Sequence, residues 1–530
     1  MNRERHKRNY DLHSWVGITL GLIVFVVAFT GCFALFADDF RTWEDPALRT
    51  DLPDTPAPVA ARFESWMEET ATGEHVDFAS LYMPTEAQPF YTGYVFVGRE
   101  FHETRWSSVT GERLDTRGHG LSIWLLDIHR DFMWPDFLGG RTIGRGLVGI
   151  AGIVLLLAIL TGVIAHTKIR EEAYSMRLKR SPRLKWQDSH KVIGLWGLPF
   201  FIMISFTGAV LGIVALLAPI VAAIAFKGDV EALEHAVFGD HAEPTGRQVR
   251  MLSLDELRTL QHPQSGYLPE FISLENYGDE AALFNLFYPA DSELLMYETV
   301  SVSGATGERV VNHRLEATTP ASRATGAMAP LHYATYGGLW LKFLYLVLGL
   351  GLAVVTALGS MMWIERRKFG NEGTRSAKFY DRLGHLNTGV IMGLPVATLS
   401  LFYLDKLYAG AETARLAATG WTYFAVWGAG VIFAFSRRND YATTRNLMML
   451  TGVLAMGIPV LNGMTTGDWC FAHLASGGRA YAWVDFAMLL VGGLTLGAGF
   501  LAPKRRIERI RGDLPAEVRL NSATAPVSAE

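Results

Sequence analysis

Eight apolar runs without a charged residue divide the chain, and each is long enough to suggest a membrane-spanning helix. A helix needs about 20 such residues to cross the hydrocarbon core of a bilayer. The third run has 35 residues, more than one crossing needs, whereas the last has only 18. The runs are Ser14–Ala37, Gly146–Ala165, Val192–Phe226, Phe343–Ile364, Leu383–Leu404, Leu416–Ser436, Asn446–Gly467 and Phe486–Pro503. The pattern predicts a polytopic α-helical membrane protein with about eight transmembrane helices.

Two long polar segments, residues 38–141 and 227–342, follow the first and third runs and show an α+β pattern. Their predicted strands alternate between apolar and polar residues and lead into glycine-containing turns. The predicted helices are residues 56–70 and Leu252–Leu260, and the predicted strands are Phe90–Val97, His102–Val109, Ala282–Tyr288 and Leu294–Val302. The sequence thus predicts two extramembrane α+β domains.

Composition supports the membrane interpretation and excludes several other classes. Half of the residues are apolar and 19% are charged, whereas an average soluble protein has about 25% charged residues. Cys32 and Cys470 are the only cysteines, which excludes a disulfide framework and a four-cysteine metal centre. The sequence has no Walker motif and no glycine-rich dinucleotide fingerprint, so neither ATP-driven pumping nor a built-in nicotinamide or flavin domain is expected. It also predicts no nucleic-acid partner.

Lysine and arginine are unevenly distributed, and their distribution predicts the orientation in the membrane. With eight spans, 26 of the 48 basic residues fall in short segments on one face. The two long segments lie on the opposite face and are acidic: residues 38–141 have 9 basic and 19 acidic side chains, and residues 227–342 have 8 and 16. Both termini are therefore expected in the cytoplasm and both long segments outside.

The first part of the chain contains an internal repeat. The first and third runs share five identities at one offset of 177 residues, which are His13 and His190, Gly17 and Gly194, Phe29 and Phe206, Thr30 and Thr207, and Gly31 and Gly208. Each copy continues with a Thr-Gly-Glu-Arg turn, at 110–113 and 306–309, and then a histidine and a Gly-Gly pair. We expect these glycine pairs to bend the chain so that the preceding histidine folds back over the bundle.

Six histidines lie at the ends of the predicted spans, with His13, His166, His190 and His385 at the cytoplasmic ends and His129 and His332 at the outer ends. Histidines on different helices of a bundle are suited to holding haem between two imidazoles. The absence of a Cys-x-x-Cys-His motif predicts non-covalent, b-type haem. Two layers of histidines suggest two haems that relay electrons across the bilayer. The alternative for any single histidine is an interfacial side chain that contacts lipid headgroups.

Together these motifs resemble the PepSY-associated transmembrane family. The residues that carry the resemblance are His13 with Gly17 and Thr30-Gly31, Ile128-His129-Arg130, Gly162 with His166, Trp186-Gln-Asp188-Ser-His190 with Gly197-Leu-Pro199, Leu331-His332 with Gly337-Gly338, and Leu386-Asn387 with Gly393-Leu-Pro395. The resemblance implies a multi-pass protein of the bacterial inner membrane with periplasmic PepSY domains, often linked to iron uptake. Some members are haem-containing reductases that release iron from siderophores in the periplasm.

The resemblance also implies roles for individual residues. Carried over by position, the haem-iron ligands are His13, His129, His166, His190 and His332, with His385 as a further cofactor-binding residue. We expect His129 to pair with His332 for an outer haem because the repeat relates them, and two of the other three ligands to hold an inner one. Arg130 is a candidate contact for a haem propionate. The implied partners are the lipid bilayer, a ferrisiderophore or other iron(III) chelate outside, and a separate electron donor, either quinol or a cytoplasmic reductase.

The predicted order of segments follows from the spans and the repeat. Residues 1–37 form the first span, 38–141 the first PepSY-like domain, 142–166 the second span, 167–189 a cytoplasmic loop, 190–226 the third span, 227–330 the second PepSY-like domain, 331–364 the fourth span, 365–382 a cytoplasmic loop, 383–503 four further spans and 504–530 a cytoplasmic tail. The favoured function is a haem oxidoreductase that reduces an iron(III) chelate. A haem-free binding or regulatory protein and a transporter for an iron complex are the alternatives.

Overall fold

Long apolar helices form where the uncharged runs predict them. The computed structural model describes residues 3–72, 76–86, 88–97, 100–117, 120–166, 169–172, 174–176, 182–229, 232, 244–290, 294, 297–310, 323–324, 326–371, 375–475 and 481–502. Its helices are α1 Arg3–Thr19, α2 Gly21–Ala34, α3 Ala37–Glu44, α4 Ala60–Ala71, α5 Leu121–Asp131, α6 Gly140–Ala165, α7 Ile169–Glu172, α8 Pro182–Trp196, α9 Leu198–Ala225, α10 Leu254–Leu257, α11 Met328–Tyr333, α12 Gly338–Gly370, α13 Arg375–Leu407, α14 Arg415–Arg437, α15 Asp440–Thr466, α16 Cys470–Ala475 and α17 Ala482–Leu501. Among the described residues, six helices are long and apolar enough to cross a membrane, and two bent pairs would bring the number to eight. The polytopic helical fold is confirmed.

The first and third predicted spans are broken helices. The axes of α1 and α2 differ by 63° at Leu20, and those of α8 and α9 differ by 69° at Gly197. The two breaks are related by the repeat, since Gly197 lies 177 residues after Leu20. At the second break Pro199 occupies the first turn of α9, where its missing N–H costs no hydrogen bond, so the Gly-Leu-Pro sequence starts a new helix. The apolar runs themselves gave no sign of either bend.

In the part of the chain that the structure describes, the two polar segments form one antiparallel sheet of seven strands in the order β3-β2-β1-β4-β5-β6-β7. The strands are β1 Val76–Tyr82, β2 Phe90–Val97, β3 Glu100–Ser107, β4 Phe271–Glu275, β5 Leu283–Pro289, β6 Tyr297–Ser303 and β7 Arg309–Val310. The two copies meet where β1 pairs with β4, with Ser80 opposite Ser273. The two predicted α+β domains therefore share a single sheet.

The local predictions within the polar segments differ in their outcome. The strand Phe90–Val97 has its predicted bounds, and the other three predicted strands shift by one to three residues at either end. The helix predicted at 56–70 forms as α4, whereas the one predicted at Leu252–Leu260 shortens to the four residues of α10. The Thr-Gly-Glu-Arg turns form in both copies, with Gly111 at φ +70° and Gly307 at φ +74°. These left-handed conformations favour glycine.

The sheet has one face packed on helices and one face of stacked rings. The first face contributes Leu81 and Leu274 to a buried core with Phe63 of α4 and Leu254 of α10. On the other face the ring of Phe271 stacks on its neighbours at centroid distances of 4.5 and 4.0 Å. We call this second surface the aromatic face, formed by Tyr82, Tyr94, Phe101, Phe271, Phe287 and Tyr297. Glu103, next to Tyr94 on this face, lies 3.8 Å from Arg41, so the aromatic face turns towards α3.

The predicted bends after His129 and His332 form. Left-handed residues interrupt the chain after each histidine, and they include Phe132, Met133, Gly139 and Gly140 in the first copy and Ala334 and Gly338 in the second. As a result, each histidine lies on a short helix of its own, α5 or α11, and these helices pack against α2 and α9. The bends thus return both histidines to the bundle.

Buried polar contacts attach the C-terminal helices to the first half of the chain. Trp43 of α3 donates its indole N–H to Asp485 Oδ1 at 2.8 Å, and Asn462 donates to Asp485 Oδ2 at 2.9 Å. Arg49 donates to Asp468 Oδ2 at 2.7 Å. Asp485 is 1% exposed. A buried carboxylate requires such donors, so these contacts fix how α15 and α17 sit against α3.

Candidate functional site

Four of the six predicted histidines form two pairs. The ring centroids of His129 and His332 are 6.3 Å apart, and those of His13 and His190 are 6.2 Å apart. We call the first the sheet-side pair, because α5 and α11 follow the strands of the two copies, and the second the loop-side pair. Each pair takes one histidine from each copy of the repeat, so the structure brings together residues that correspond in sequence.

The Nδ1 atom of each paired histidine has a hydrogen-bond partner. It lies 2.9 Å from Ala158 O in His13, 3.0 Å from Val27 O in His129 and 2.9 Å from Val355 O in His190. Carbonyl oxygens only accept, so these three Nδ1 atoms carry the proton. His332 Nδ1 lies 2.9 Å from Thr207 Oγ1, which itself donates to Met203 O and can accept from the ring. In the neutral imidazole this tautomer leaves Nε2 unprotonated in all four rings, with a lone pair for a ligand.

A glycine lies against the imidazole of every paired histidine. A methyl group added to Gly31 would be 2.8 Å from His129 Cε1, and one added to Gly208 would be 2.9 Å from His332 Cε1. In the loop-side pair the corresponding glycines are Gly162 against His13, at 3.0 Å, and Gly359 against His190, at 3.3 Å. No larger residue fits these positions without moving the ring. The repeat pairs Gly31 with Gly208, at an offset of 177 residues, and Gly162 with Gly359, at 197.

The two pairs lie at different depths in the bundle. Gly359 of α12 faces His190, and ten residues earlier on the same helix a methyl on Gly349 would be 3.0 Å from Cys32 Sγ. Cys32 follows Gly31, the glycine against His129. Ten helical residues span about 15 Å, so the pairs are separated by roughly that distance along α12.

The glycines one turn after three of the histidines have different surroundings. A methyl group on Gly17 or Gly194 would meet nothing within 4 Å, so there is open space one helical turn from His13 and His190. On Gly389 it would lie 2.6 Å from Val431 Cα, because α13 and α14 pack closely there. The glycine four residues after His385 therefore serves close helix packing.

The other two predicted histidines make different contacts. His166 ends α6, and its Nε2 lies 3.5 Å from Glu172 Oε2. His385 Nδ1 lies 2.6 Å from Asp440 Oδ1, within the C-terminal helices. Arg130 forms ion pairs with Asp127 and Asp131. The structure therefore places His166 and His385 in contact with carboxylates and Arg130 within an ion-pair cluster.

Sequence reasoning did not foresee the partners of the paired rings. The acceptors Ala158, Val27 and Val355 act through backbone carbonyls, which leave no signature in the side chains. The glycines beside the rings did leave a signature in the sequence, because they recur at the offsets of the repeat. In three of the four sites the carbonyl belongs to the residue four positions before the glycine, one helical turn away.

Apolar helices, an extramembrane sheet and paired histidines on a repeat define a multi-pass membrane protein. The chain belongs to the family described as the PepSY-associated TM region, whose model matches residues 10–366. A relative from Pseudomonas aeruginosa, described as an uncharacterized protein, is 27% identical over 356 residues, which cover 63% of this chain and 85% of the relative. All four paired histidines lie inside the family match, and His385 lies beyond it.

Proposed function

We propose that the protein is a b-type haem oxidoreductase of the bacterial inner membrane that reduces an iron(III) chelate on the side of the sheet. The spacing of the histidine pairs carries this proposal. A metal ion between two imidazoles, with bonds of about 2 Å, places the ring centroids roughly 6 Å apart. The observed centroid distances are 6.3 and 6.2 Å. Two neutral imidazole rings in direct contact are not held to this centroid distance. Its occurrence in both pairs therefore favours a metal ion between the rings.

The residues around each pair fit a haem rather than an ion held by protein ligands alone. A tetrahedral metal site takes three or four protein ligands, and no group of three or more His, Cys, Asp or Glu side chains is placed to hold a metal in the described part of the chain. Two histidines suffice for a haem, whose porphyrin supplies the other ligands. The space beside Gly17 and Gly194 lies one turn from His13 and His190.

The four histidines would bind and orient the cofactor. A haem held by each pair would supply one-electron redox chemistry, and the protein supplies position and electrostatics. The hydrogen bonds from Nδ1 fix the tautomer and the ring orientation and make Nε2 a stronger ligand. Two pairs about 15 Å apart along α12 form a route between the two sides of the bundle.

Reduction would release the iron because chelators with hard oxygen donors hold iron(II) less tightly than iron(III). Each iron(III) ion takes up one electron, and the electrons come from quinol or from a separate cytoplasmic reductase. The sequence has no ATP-binding motif that would favour ATP-driven pumping instead.

An absorption spectrum of the purified protein, oxidised and then reduced with dithionite, tests the proposal. We expect a sharp Soret shift, a b-type α band and about two haems per chain in a pyridine haemochrome assay. Stopped-flow mixing of the reduced protein with an iron(III) chelate should reoxidise the haem. Protein that remains colourless when produced with ample haem would refute the proposal and leave a haem-free binding protein as the explanation.

A further inference from the structure

A cavity of about 460 Å³ opens between the aromatic face of the sheet and α3. Its wall includes two acidic residues, Glu103 and Asp115. The arginines that line it are Arg41, Arg105, Arg113 and Arg117. The cavity is therefore positively charged, although the surrounding segment, residues 38–141, has 19 acidic and only 9 basic residues. A cationic cavity on an acidic domain attracts anions to one place.

The charges of the cavity are incompletely compensated within the protein. Glu103 is shared between Arg41, at 3.8 Å, and Arg105, with which it forms a close ion pair. Arg113 and Arg117 are exposed. The Arg113 side chain has no ion pair or hydrogen bond with a described residue, whereas Arg117 interacts electrostatically with the carboxylate of Asp405, and the Asp45 carboxylate acts on Arg105. Exposed guanidinium groups present planar pairs of donors that match carboxylates.

Arg105 is the buried part of the site. It is 5% exposed, and its Nε has no acceptor among the described residues. Burial, together with the nearby charge of Arg41, lowers the pKa of Arg105 to about 9. A buried donor without a partner carries a desolvation cost that an anionic ligand would remove.

A second cavity of about 580 Å³ adjoins the first and shares Glu103 and Arg113 with it. Trp66 and Phe101 also line it, and Phe101 is exposed. The combined site has room for an organic ligand with apolar parts, and it is larger than a single inorganic anion requires.

The cavity is also connected to the helix that carries a sheet-side histidine. The backbone N–H of Arg117 donates to Asp45 Oδ2 at 2.8 Å, which ties the cavity wall to the end of α3. Four residues after Arg117, α5 begins at Leu121, and it carries His129 about 12 Å further along. A ligand in the cavity would therefore lie on the same side of the bundle as the sheet-side pair.

We infer that this cavity binds an anionic metal chelate whose ligands carry carboxylate groups, held by the guanidinium groups of Arg105, Arg113 and Arg117. This inference rests on the proposed function for the role of the chelate as electron acceptor, but binding itself involves no redox step. Recognition through arginine selects negative chelates over neutral or cationic ones.

Gallium(III) citrate is the probe, because gallium(III) has the charge and ligand preference of iron(III) but is not reduced under these conditions. Binding to the full-length protein in detergent would be measured by equilibrium dialysis with gallium quantified by mass spectrometry. The test variant combines Arg113→Gln and Arg117→Gln in one protein, and Arg309→Gln is the matched control. Arg309 ends the equivalent turn of the second copy and lies on β7, at the opposite edge of the sheet.

We expect saturable binding of one chelate per chain, weakened about tenfold or more in the double variant and unchanged in Arg309→Gln. Added salt should also weaken it, since the two varied arginines are exposed. Equal binding by the double variant and the wild type, or equal binding of a cationic gallium chelate, would overturn the inference. The haem spectrum is independent of this result: colourless protein that binds the probe refutes only the redox function, and haem-containing protein that does not bind it refutes only the cavity assignment.

Discussion

Gly31 of α2 lies directly against the imidazole of His129, so that a methyl group on Gly31 would come within 2.8 Å of His129 Cε1. The same relationship links Gly208 to His332 in the second copy, at 2.9 Å. Distances below 3 Å require the ring to move, and the ring is held by its Nδ1 contact. The positions of these two histidines therefore depend on the absence of a side chain on the neighbouring helix.

The variants Gly31→Ala and Gly208→Ala should each displace a sheet-side histidine. We expect the haem content to fall from about two towards one per chain, or the midpoint potential of one haem to shift, because the axial ligand sets that potential. A pyridine haemochrome assay and a redox titration would measure this. Gly428→Ala is the control, since a methyl there meets nothing within 4 Å. Unchanged spectra in both variants would contradict the expectation.

Single histidine variants should separate the two sites. His332→Ala should remove the sheet-side haem and His190→Ala the loop-side haem, each leaving about one haem per chain, because each pair is complete in itself. His385→Ala should retain both, since His385 contacts Asp440 of the C-terminal helices. Quantitative haem analysis with low-temperature spectra of the α band tests all three. Loss of haem from His385→Ala would mean that His385 also contributes to a haem site, so that the two histidine pairs would not account for all the ligands.

Asp485→Ala should destabilise the attachment of the C-terminal helices. It removes the acceptor for Trp43 Nε1 and Asn462 Nδ2, and each buried donor left without a partner costs about 1–3 kcal/mol. We expect the melting temperature in detergent to fall by on the order of 5 °C. Asp38→Ala, at an exposed position on α3, should change it little. A melting curve for Asp485→Ala that superimposes on the wild type would exclude this role.

Glu44 should make stability depend on pH near neutrality. Burial, with a smaller effect from the Asp405 carboxylate, raises the pKa of Glu44 to about 7 in the folded protein. An unperturbed glutamate has a pKa of about 4.3, so proton binding favours the folded state, and this contribution is full below that value and is lost as the pH rises through about 7. We expect the melting temperature to decline between pH 5 and 8 more steeply in the wild type than in Glu44→Gln. Parallel pH profiles would argue against Glu44 as the titrating group.

The orientation predicted from lysine and arginine can be tested with introduced cysteines. Thr306 and Ser436 are exposed, at a turn of the sheet and at the end of α14. An impermeant maleimide should label Thr306→Cys from outside the membrane, and Ser436→Cys only after the membrane is permeabilised. Cys32 and Cys470 are buried and provide a low background. The reverse pattern of labelling would invert the topology.

The sequence predicted where the long apolar helices lie, because an uncharged apolar run of about 20 residues favours a helix that can cross a membrane. It did not predict the bends at Leu20 and Gly197, because a helix can break without any change in hydropathy. It also missed β1 and β4, whose pairing joins residues almost 200 positions apart. Such long-range pairing depends on backbone hydrogen bonds that no local pattern records.

The candidate site was also predicted only in part. Repeated motifs identified all four paired histidines, and the repeat suggested that His129 would meet His332. The sequence did not show which two of His13, His166 and His190 form the loop-side pair, because all three lie at the ends of predicted spans. In the structure α1 and α8 place His13 beside His190, whereas His166 contacts Glu172.

The pairing of β1 with β4 has a consequence for how the protein is made. When the first polar segment has been synthesised, β1 has a partner on one side only, in β2, and its other edge stays open until residues 271–275 arrive. At 5–20 residues per second that wait lasts on the order of ten seconds or more. An open strand edge invites pairing with other chains. During that interval the open edge of β1 is exposed to such pairing, and we expect a chaperone that shields β1 to raise the yield of folded protein.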